Sequence, residues 1–267
     1  MDKEENSMIK NKRKRDNKNT MDIDEDDNGI PLEENKPSEI ITFTFVFSCM
    51  SDDYFPMIKS LLRPNFSFET ISLNGLTDMV LSMKEDVGVT IKNDNDDDVI
   101  FGVFTMIPLS FFNSHPITNQ VKEMLLEKAK SNENIKTKLN NLLKKKKFAL
   151  LINERIINLA AELIAPALHL MCKEINECIT AEDYDGRFNI DYVVIMSRYV
   201  KEKEKNELLY YKYETPYFRA KAELQLNYKI NFVEHNMELC ENKNQPQYMN
   251  ISIIKSMDFY KVLSELK

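Results

Sequence analysis

The feature that most constrains this chain is a set of short, almost wholly apolar runs separated by amphipathic stretches. Val99–Ile107, Phe148–Ile152 and Ile190–Met196 are rich in β-branched and aromatic residues, which predicts strands. Val99–Ile107 carries apolar residues on both sides of the strand alternation, so it must be covered on both faces. Between these runs lie helical patterns. Strands that alternate with helices, several of them fully apolar, predict an α/β domain with a mixed central sheet and helices on both faces. With 43% hydrophobic residues, the chain can build one sizeable core.

The remaining elements follow from spacing and punctuation. Ile40–Phe47 reads as a strand, and Ser51 is placed to cap a helix through Tyr54, Ile58, Leu61 and Leu62 that Pro64 ends. A second helix is predicted over Glu69–Met83, a short strand over Val87–Ile91, and a loop over Asn93–Asp98. Thr118–Leu143 reads as one long helix with Val121, Leu125 and Leu139 on its apolar face, closed by Lys144–Lys147 at its dipole-favoured end. Asn158 is placed to cap the next helix, which Pro166 should kink. Leu208–Tyr213, Leu224–Phe232 and Ile251–Ile254 are further strands, with helices over Thr215–Lys221 and Met257–Leu266.

Residues 1–39 differ in kind. They hold 8 basic and 12 acidic residues, a net −4, and too few apolar side chains to offset chain entropy, so they are expected to be disordered. The folded domain is expected over 40–267. Lys12, Arg13, Lys14 and Arg15 form a compact basic cluster of the kind an import receptor reads as a nuclear localisation signal. Asp22, Asp24, Asp26 and Glu33 approach calcium-loop spacing, but Asp27 stands where the loop needs glycine.

Composition excludes several function classes. Only five glycines occur, none in G-x-G spacing, so the glycine loops that cradle phosphates are missing. The four cysteines form no C-x-x-C, and His115, His169 and His235 are isolated, so no metal site is expected. A net charge of −7 argues against direct nucleic-acid binding. The apolar runs are shorter than the roughly 20 residues of a membrane helix, and the charged N-terminus lacks the apolar stretch of a secretory signal. No cofactor is expected, and the chain is read as a monomer. Leu73, Leu76, Met79 and Leu81 have the spacing of an export signal and equally that of a buried helix face; the buried face is the expectation.

One segment carries a resemblance. Phe148–Ile175 contains L-L-x-x-E-R-x-x-N at Leu150, Leu151, Glu154, Arg155 and Asn158. Phe101-Gly102, in the strand that follows the acidic run Asp94–Asp98, and Leu224, Asn227 and Tyr228 are further matches. Together these resemble the BCCIP family, nuclear proteins named for binding a breast-cancer susceptibility protein and a cyclin-dependent kinase inhibitor. Ala160 and Ala161 stand where family members usually carry proline. The resemblance implies an acetyltransferase-like (GNAT-like) architecture without coenzyme A chemistry. It also implies a nuclear adaptor or chaperone, active in protein transport and nuclear export, that escorts a basic large-subunit ribosomal protein and meets nuclear transport factors. A divergent acyltransferase or a cell-cycle and repair scaffold are the alternatives.

The residues agree with the missing cofactor chemistry. After the strand Val99–Ile107 come Pro108–Asn113, which hold no glycine, and Pro108 lacks an N–H donor. Glu154 and Arg155, as strand neighbours, should point to opposite faces, and a structural role that fixes the loop before Asn158 is expected. Asp94, Asp96, Asp97 and Asp98, with the acidic run Asp22–Glu34, are the candidate groups for steering a basic client.

Overall fold

A computed structural model describes residues 44–94, 96–202, 207–231 and 246–266, with the side chains of Asp96 and Asp97 outside the description. Residues 42–267 form one compact unit. The basic cluster Lys12–Arg15, the acidic run 22–34, His235 and Cys240 lie outside the described residues.

The elements run β1 (Phe45–Cys49), α1 (Phe55–Phe66), α2 (Leu73–Leu81), β2 (Val89–Asn93), β3 (Asp96–Ile107), α3 (Pro116–Lys128), α4 (Glu133–Lys145) and β4 (Phe148–Arg155). Then follow α5 (Ile164–Thr180), β5 (Tyr192–Lys201), β6 (Leu208–Tyr210), α6 (Thr215–Lys221), β7 (Leu224–Lys229), β8 (Gln247–Lys255) and α7 (Ser256–Glu265). One sheet runs β1-β2-β3-β4-β5-β8-β7, with β6 attached to β5. The pair β4/β5 is parallel and every other pair is antiparallel. The sheet is therefore mixed, as the α/β, acetyltransferase-like expectation requires.

Helices cover both faces. Glu154 on β4 reaches Asn65 of α1, whereas Asn153 and Arg155 reach Glu214 just before α6. Neighbours on a strand face opposite ways, so α1 and α6 lie on opposite sides. Helices α2 and α3 join α1, while α5 and α7 join α6. The central strands are consequently buried: seven of the eight β4 residues are buried in sequence, Phe148 to Glu154.

Several elements differ from the sequence expectation. The predicted long helix is two, because residues 129–132 turn and the Asn132 side chain accepts from Ile135 N–H to start α4. Asn158 caps nothing: α5 begins at Ile164, its preceding residue Leu163 makes no side-chain cap, and Asn158 is exposed in the turn before it. Pro166 consequently sits in the first turn of α5, where its missing N–H has no intrahelical acceptor to lose, so no kink is required. Ser51 caps a 3₁₀ turn over Asp52–Tyr54 rather than α1, and Pro64 lies inside the last turn of α1. The loop expected over 93–98 is mostly strand: Asn93 pairs with Asp96 at the tip of the β2–β3 hairpin.

Candidate functional site

The parallel junction at the middle of the sheet is short. β4 and β5 pair only at Phe148↔Tyr192, Ala149↔Val193 and Leu150↔Val194. Beyond that point β5 exchanges its neighbour. Tyr199–Lys201 pair with β6 on one edge while Tyr199 and Val200 pair with β8 on the other. β6 thus stands on the side that β4 has left, and a cleft opens between the C-terminal half of β4 and β6. The ends of parallel strands at such a divergence are where open α/β sheets usually hold ligands.

Here the chain's own residues fill the cleft. After β6, Tyr211 N–H donates to Arg198 C=O at 3.2 Å, which carries the segment 211–214 down between the strands. Lys212 Nζ donates to Glu154 Oε1 at 2.8 Å, and Asn65 Nδ2 donates to Glu154 Oε2 at 2.6 Å. On the opposite face Arg155 grips Glu214 with two nitrogens, at 3.0 and 2.8 Å, and Asn153 Nδ2 adds a bond of 2.6 Å to the same carboxylate. Arg198 donates to Gln247 at 3.1 Å and stacks on the Tyr211 ring, 4.6 Å from its centroid. Glu154, Lys212 and Glu214 are all buried, as are Asn65, Asn153 and Arg198.

Burial dominates the electrostatics. It pushes the Glu154 carboxyl up from its ordinary value, against the pull of Lys212 and Asn65. It pushes the Lys212 ammonium down, against the pull of Glu154. Glu214 goes the other way. Burial raises it, but the charge and hydrogen bonds of Arg155, helped by Lys212, outweigh burial and hold it below the ordinary value.

The motif residues Leu150 and Leu151 are buried core on β4, and Glu154 and Arg155 answer to opposite faces. They hold the 211–214 segment and α1, not the turn around Asn158. Asp94 and Asp98 are exposed at the β2–β3 hairpin, and Asp94 N–H donates to Thr44 C=O. Lys212 and Glu214 carry the site together with Glu154 and Arg155, yet nothing in their local sequence marks them. Only the topology brings them to β4.

Coenzyme A, which an acetyltransferase-like architecture implies, does not fit these residues. In the loop after β3, Ser110 N–H is spent on Phe148 C=O, and Phe111 and Phe112 N–H on Pro108 C=O. The crossover that leads to a parallel neighbour starts after β4, so a pyrophosphate would need the loop 156–163 at the start of α5. That loop also lacks glycine, and Ile156 N–H is spent on Phe101 C=O. Among the described residues no cluster of metal-ligating side chains occurs, and no helix is long and apolar enough to cross a membrane.

A family model described as BCCIP matches residues 40–238. Protein BCP1 of Debaryomyces hansenii is 27% identical over 177 residues, covering 61% of this chain and 56% of that protein. Protein bcp1 of Aspergillus fumigatus is 27% identical over 206 residues, covering 74% and 68%. The BRCA2 and CDKN1A-interacting protein of Bos taurus is 25% identical over 217 residues, covering 72% and 70%. The chain thus spans little more than half the length of the Debaryomyces relative. The crystal structure of BCP1 from Saccharomyces cerevisiae shares the fold, with a TM-score of 0.62 at 20% identity over 88% of this chain and 92% of that one.

Proposed function

Because the chain belongs to the BCCIP family, we propose that it is a non-catalytic nuclear adaptor and chaperone. In this reading it serves protein transport and ribosome biogenesis by escorting a basic large-subunit ribosomal protein, in company with nuclear transport factors. The observation that carries the non-catalytic part is the filled cleft. The position where the fold would hold a ligand is occupied by the chain's own Lys212–Glu154 and Arg155–Glu214 pairs. A site whose charged groups already satisfy one another has little left to bind or polarise a substrate.

Protein partners are supported by the name of the cattle relative, which describes a protein that interacts with BRCA2 and CDKN1A. That name also favours a second reading, a cell-cycle or repair scaffold. A basic client is supported by the acidic balance, −7 over the chain. The nuclear location is supported by the Lys12–Arg15 cluster.

Three measurements test the proposal. Affinity purification from native nuclei should recover a basic ribosomal protein as the main partner; recovery of repair or cell-cycle proteins alone would favour the scaffold. Replacing Lys12–Arg15 with alanine should move a tagged protein to the cytoplasm without changing its melting temperature. Calorimetric titration with acetyl-coenzyme A at sub-millimolar concentration should give no heat, and a micromolar dissociation constant would overturn the non-catalytic reading.

A further inference from the structure

β1 is the outermost strand at one side of the sheet, and its outer edge has no partner strand among the described residues. The ladder says which groups stand on that edge. Thr44 C=O accepts from Asp94 N–H at 2.8 Å, so Thr44 and Asp94 are a bonded pair one step before Phe45↔Asn93. Bonded and unbonded pairs alternate in an antiparallel ladder, so Val46↔Lys92 and Ser48↔Thr90 bond inward. Phe47 therefore turns its N–H and C=O, and Cys49 its N–H, to the open side. Phe47 is 37% exposed, and Cys49 is exposed as well. Natural sheets blunt such an edge with lysine, proline or a bulge. Here residues 40–51 carry no charge and no proline, and β1 pairs with β2 without a register shift.

Charge stands at the two ends of the strand instead. Asp94 and Asp98 are exposed on the β2–β3 hairpin beside its start. Asp52 and Asp53 are exposed in the 3₁₀ turn just past its end. Asp52 holds Lys84, whereas Asp53 pairs with no cation among the described residues. This frame selects the occupant. A second copy pairs through the same edge only about a twofold axis, with the strands antiparallel. That sets the hairpin acids of each copy beside Asp52 and Asp53 of the other, and like charges oppose it. An acidic segment meets the same repulsion. An extended segment with a β-branched centre and Lys or Arg at both ends adds ladder bonds to Phe47 and Cys49 and meets acids at each end.

We propose that the open edge of β1 is a docking strand for the basic client. A segment of that protein adds a strand beside β1, its apolar centre along Phe47 and its flanking cations on Asp94, Asp98 and Asp53. The inference deepens the adaptor reading and rests on it for the client, but its test uses a peptide. The probe is acetyl-Lys-Arg-Val-Thr-Val-Thr-Val-Arg-Lys-amide, titrated into the full ¹⁵N-labelled chain, with hydrogen exchange read by NMR. The bound peptide should slow exchange of the Phe47 amide at least about tenfold, whereas Val46 and Ser48, already bonded to β2, should change little. A counterpart with Glu in place of its Lys and Arg should bind at least about tenfold more weakly, and that gap should shrink as salt rises. A counterpart N-methylated at its three central residues keeps the charge and loses the ladder, so it should leave Phe47 exchange unchanged. Asp53→Asn combined with Asp94→Asn should weaken the basic peptide and leave the melting temperature in place. A Phe47 amide that the basic peptide does not protect would overturn the docking site. Equal binding of the Glu peptide would overturn the basic occupant, and equal protection by the N-methylated peptide would overturn the added strand. Protection that appears without peptide and grows with protein concentration would make the occupant a second copy. Each of these failures leaves the purification from nuclei, which tests the adaptor reading, standing as a separate result.

Discussion

Glu154 and Arg155 are adjacent in sequence and bind the same short segment from opposite faces of the sheet: Glu154 takes Lys212 at 2.8 Å, and Arg155 takes Glu214 at 2.8 Å. The segment 211–214 bends and turns instead of running as a strand, so Lys212 and Glu214, two residues apart, reach opposite faces, where a strand would put them on one. The cleft cannot empty without exposing four charges to one another's absence.

The first expectation concerns Lys212. Lys212→Met would leave the Glu154 carboxylate buried with only Asn65 as a partner, and breaking a buried pair from one side costs about 3–5 kcal/mol. The double variant Glu154→Gln with Lys212→Met should recover much of that loss, since it removes both charges together. Urea unfolding of the four proteins gives the coupling. A Lys212→Met protein within about 1 kcal/mol of the parent would mean that the pair contributes little.

Acid dependence follows from Glu214. Its folded-state carboxyl is held low by Arg155, so the unfolded chain binds the proton more readily. The stability it contributes is present above the ordinary carboxylate range and is lost as pH falls through the lower folded value. Glu154 has the opposite sign. Its raised carboxyl favours folding at low pH, and that contribution fades as pH rises through the raised value. Melting temperature followed from about pH 3 to 8 should therefore show a shallower acid decline in Glu214→Gln. In Glu154→Gln the loss toward neutral pH should be reduced. Parallel curves for Glu214→Gln and parent would contradict the assignment.

The spacing Leu73, Leu76, Met79, Leu81 belongs to a packed helix, not to an accessible signal: Leu76 is 0% exposed and Met79 2%. Leu76→Ala should destabilise the fold by roughly 2–5 kcal/mol. Thermal unfolding, read together with nucleocytoplasmic distribution, distinguishes the two roles. A variant as stable as the parent but retained in the nucleus would restore the export reading.

The hairpin acids act, on the proposed function, in encounter. Changing Asp94, Asp96, Asp97 and Asp98 to asparagine should slow association with a basic ribosomal protein and flatten its salt dependence, with a smaller effect on dissociation. Exposed pairs contribute only about 0–1 kcal/mol each, so affinity should fall modestly. Stopped-flow association at several ionic strengths checks this, and an unchanged salt slope would remove the hairpin from the client site.

How far the residues speak for themselves varies along the chain. Thr215–Lys221 is a helix with the bounds its sequence suggests, because proline at the second position favours its start and Arg219 and Lys221 favour its last turn. The apolar run Phe148–Ile152 is legible as a central strand because it is short and apolar on both sides of the strand alternation, which asks for cover on both faces. The break at 129–132 has a local signal, an asparagine followed by glutamate, but the long 3.6-residue periodicity on either side of it suggests continuity. The cap at Asn158 fails because the motif is shared with a turn that the chain needs before α5 can start. Lys212 and Glu214 are beyond any local rule. Each looks like a surface charge until β6 replaces β4 beside β5 and delivers them to the interior.

That replacement divides the sheet mechanically. β1–β4 form one antiparallel block and β5–β8 another, and the backbone seam between them is three residue pairs long. Everything past Leu150 on that boundary is fastened by side chains instead of ladder bonds. A force or fluctuation that pries the blocks apart would meet peptide hydrogen bonds at one end and salt-like latches at the other, so the seam is stiff at its foot and chemically releasable at its top.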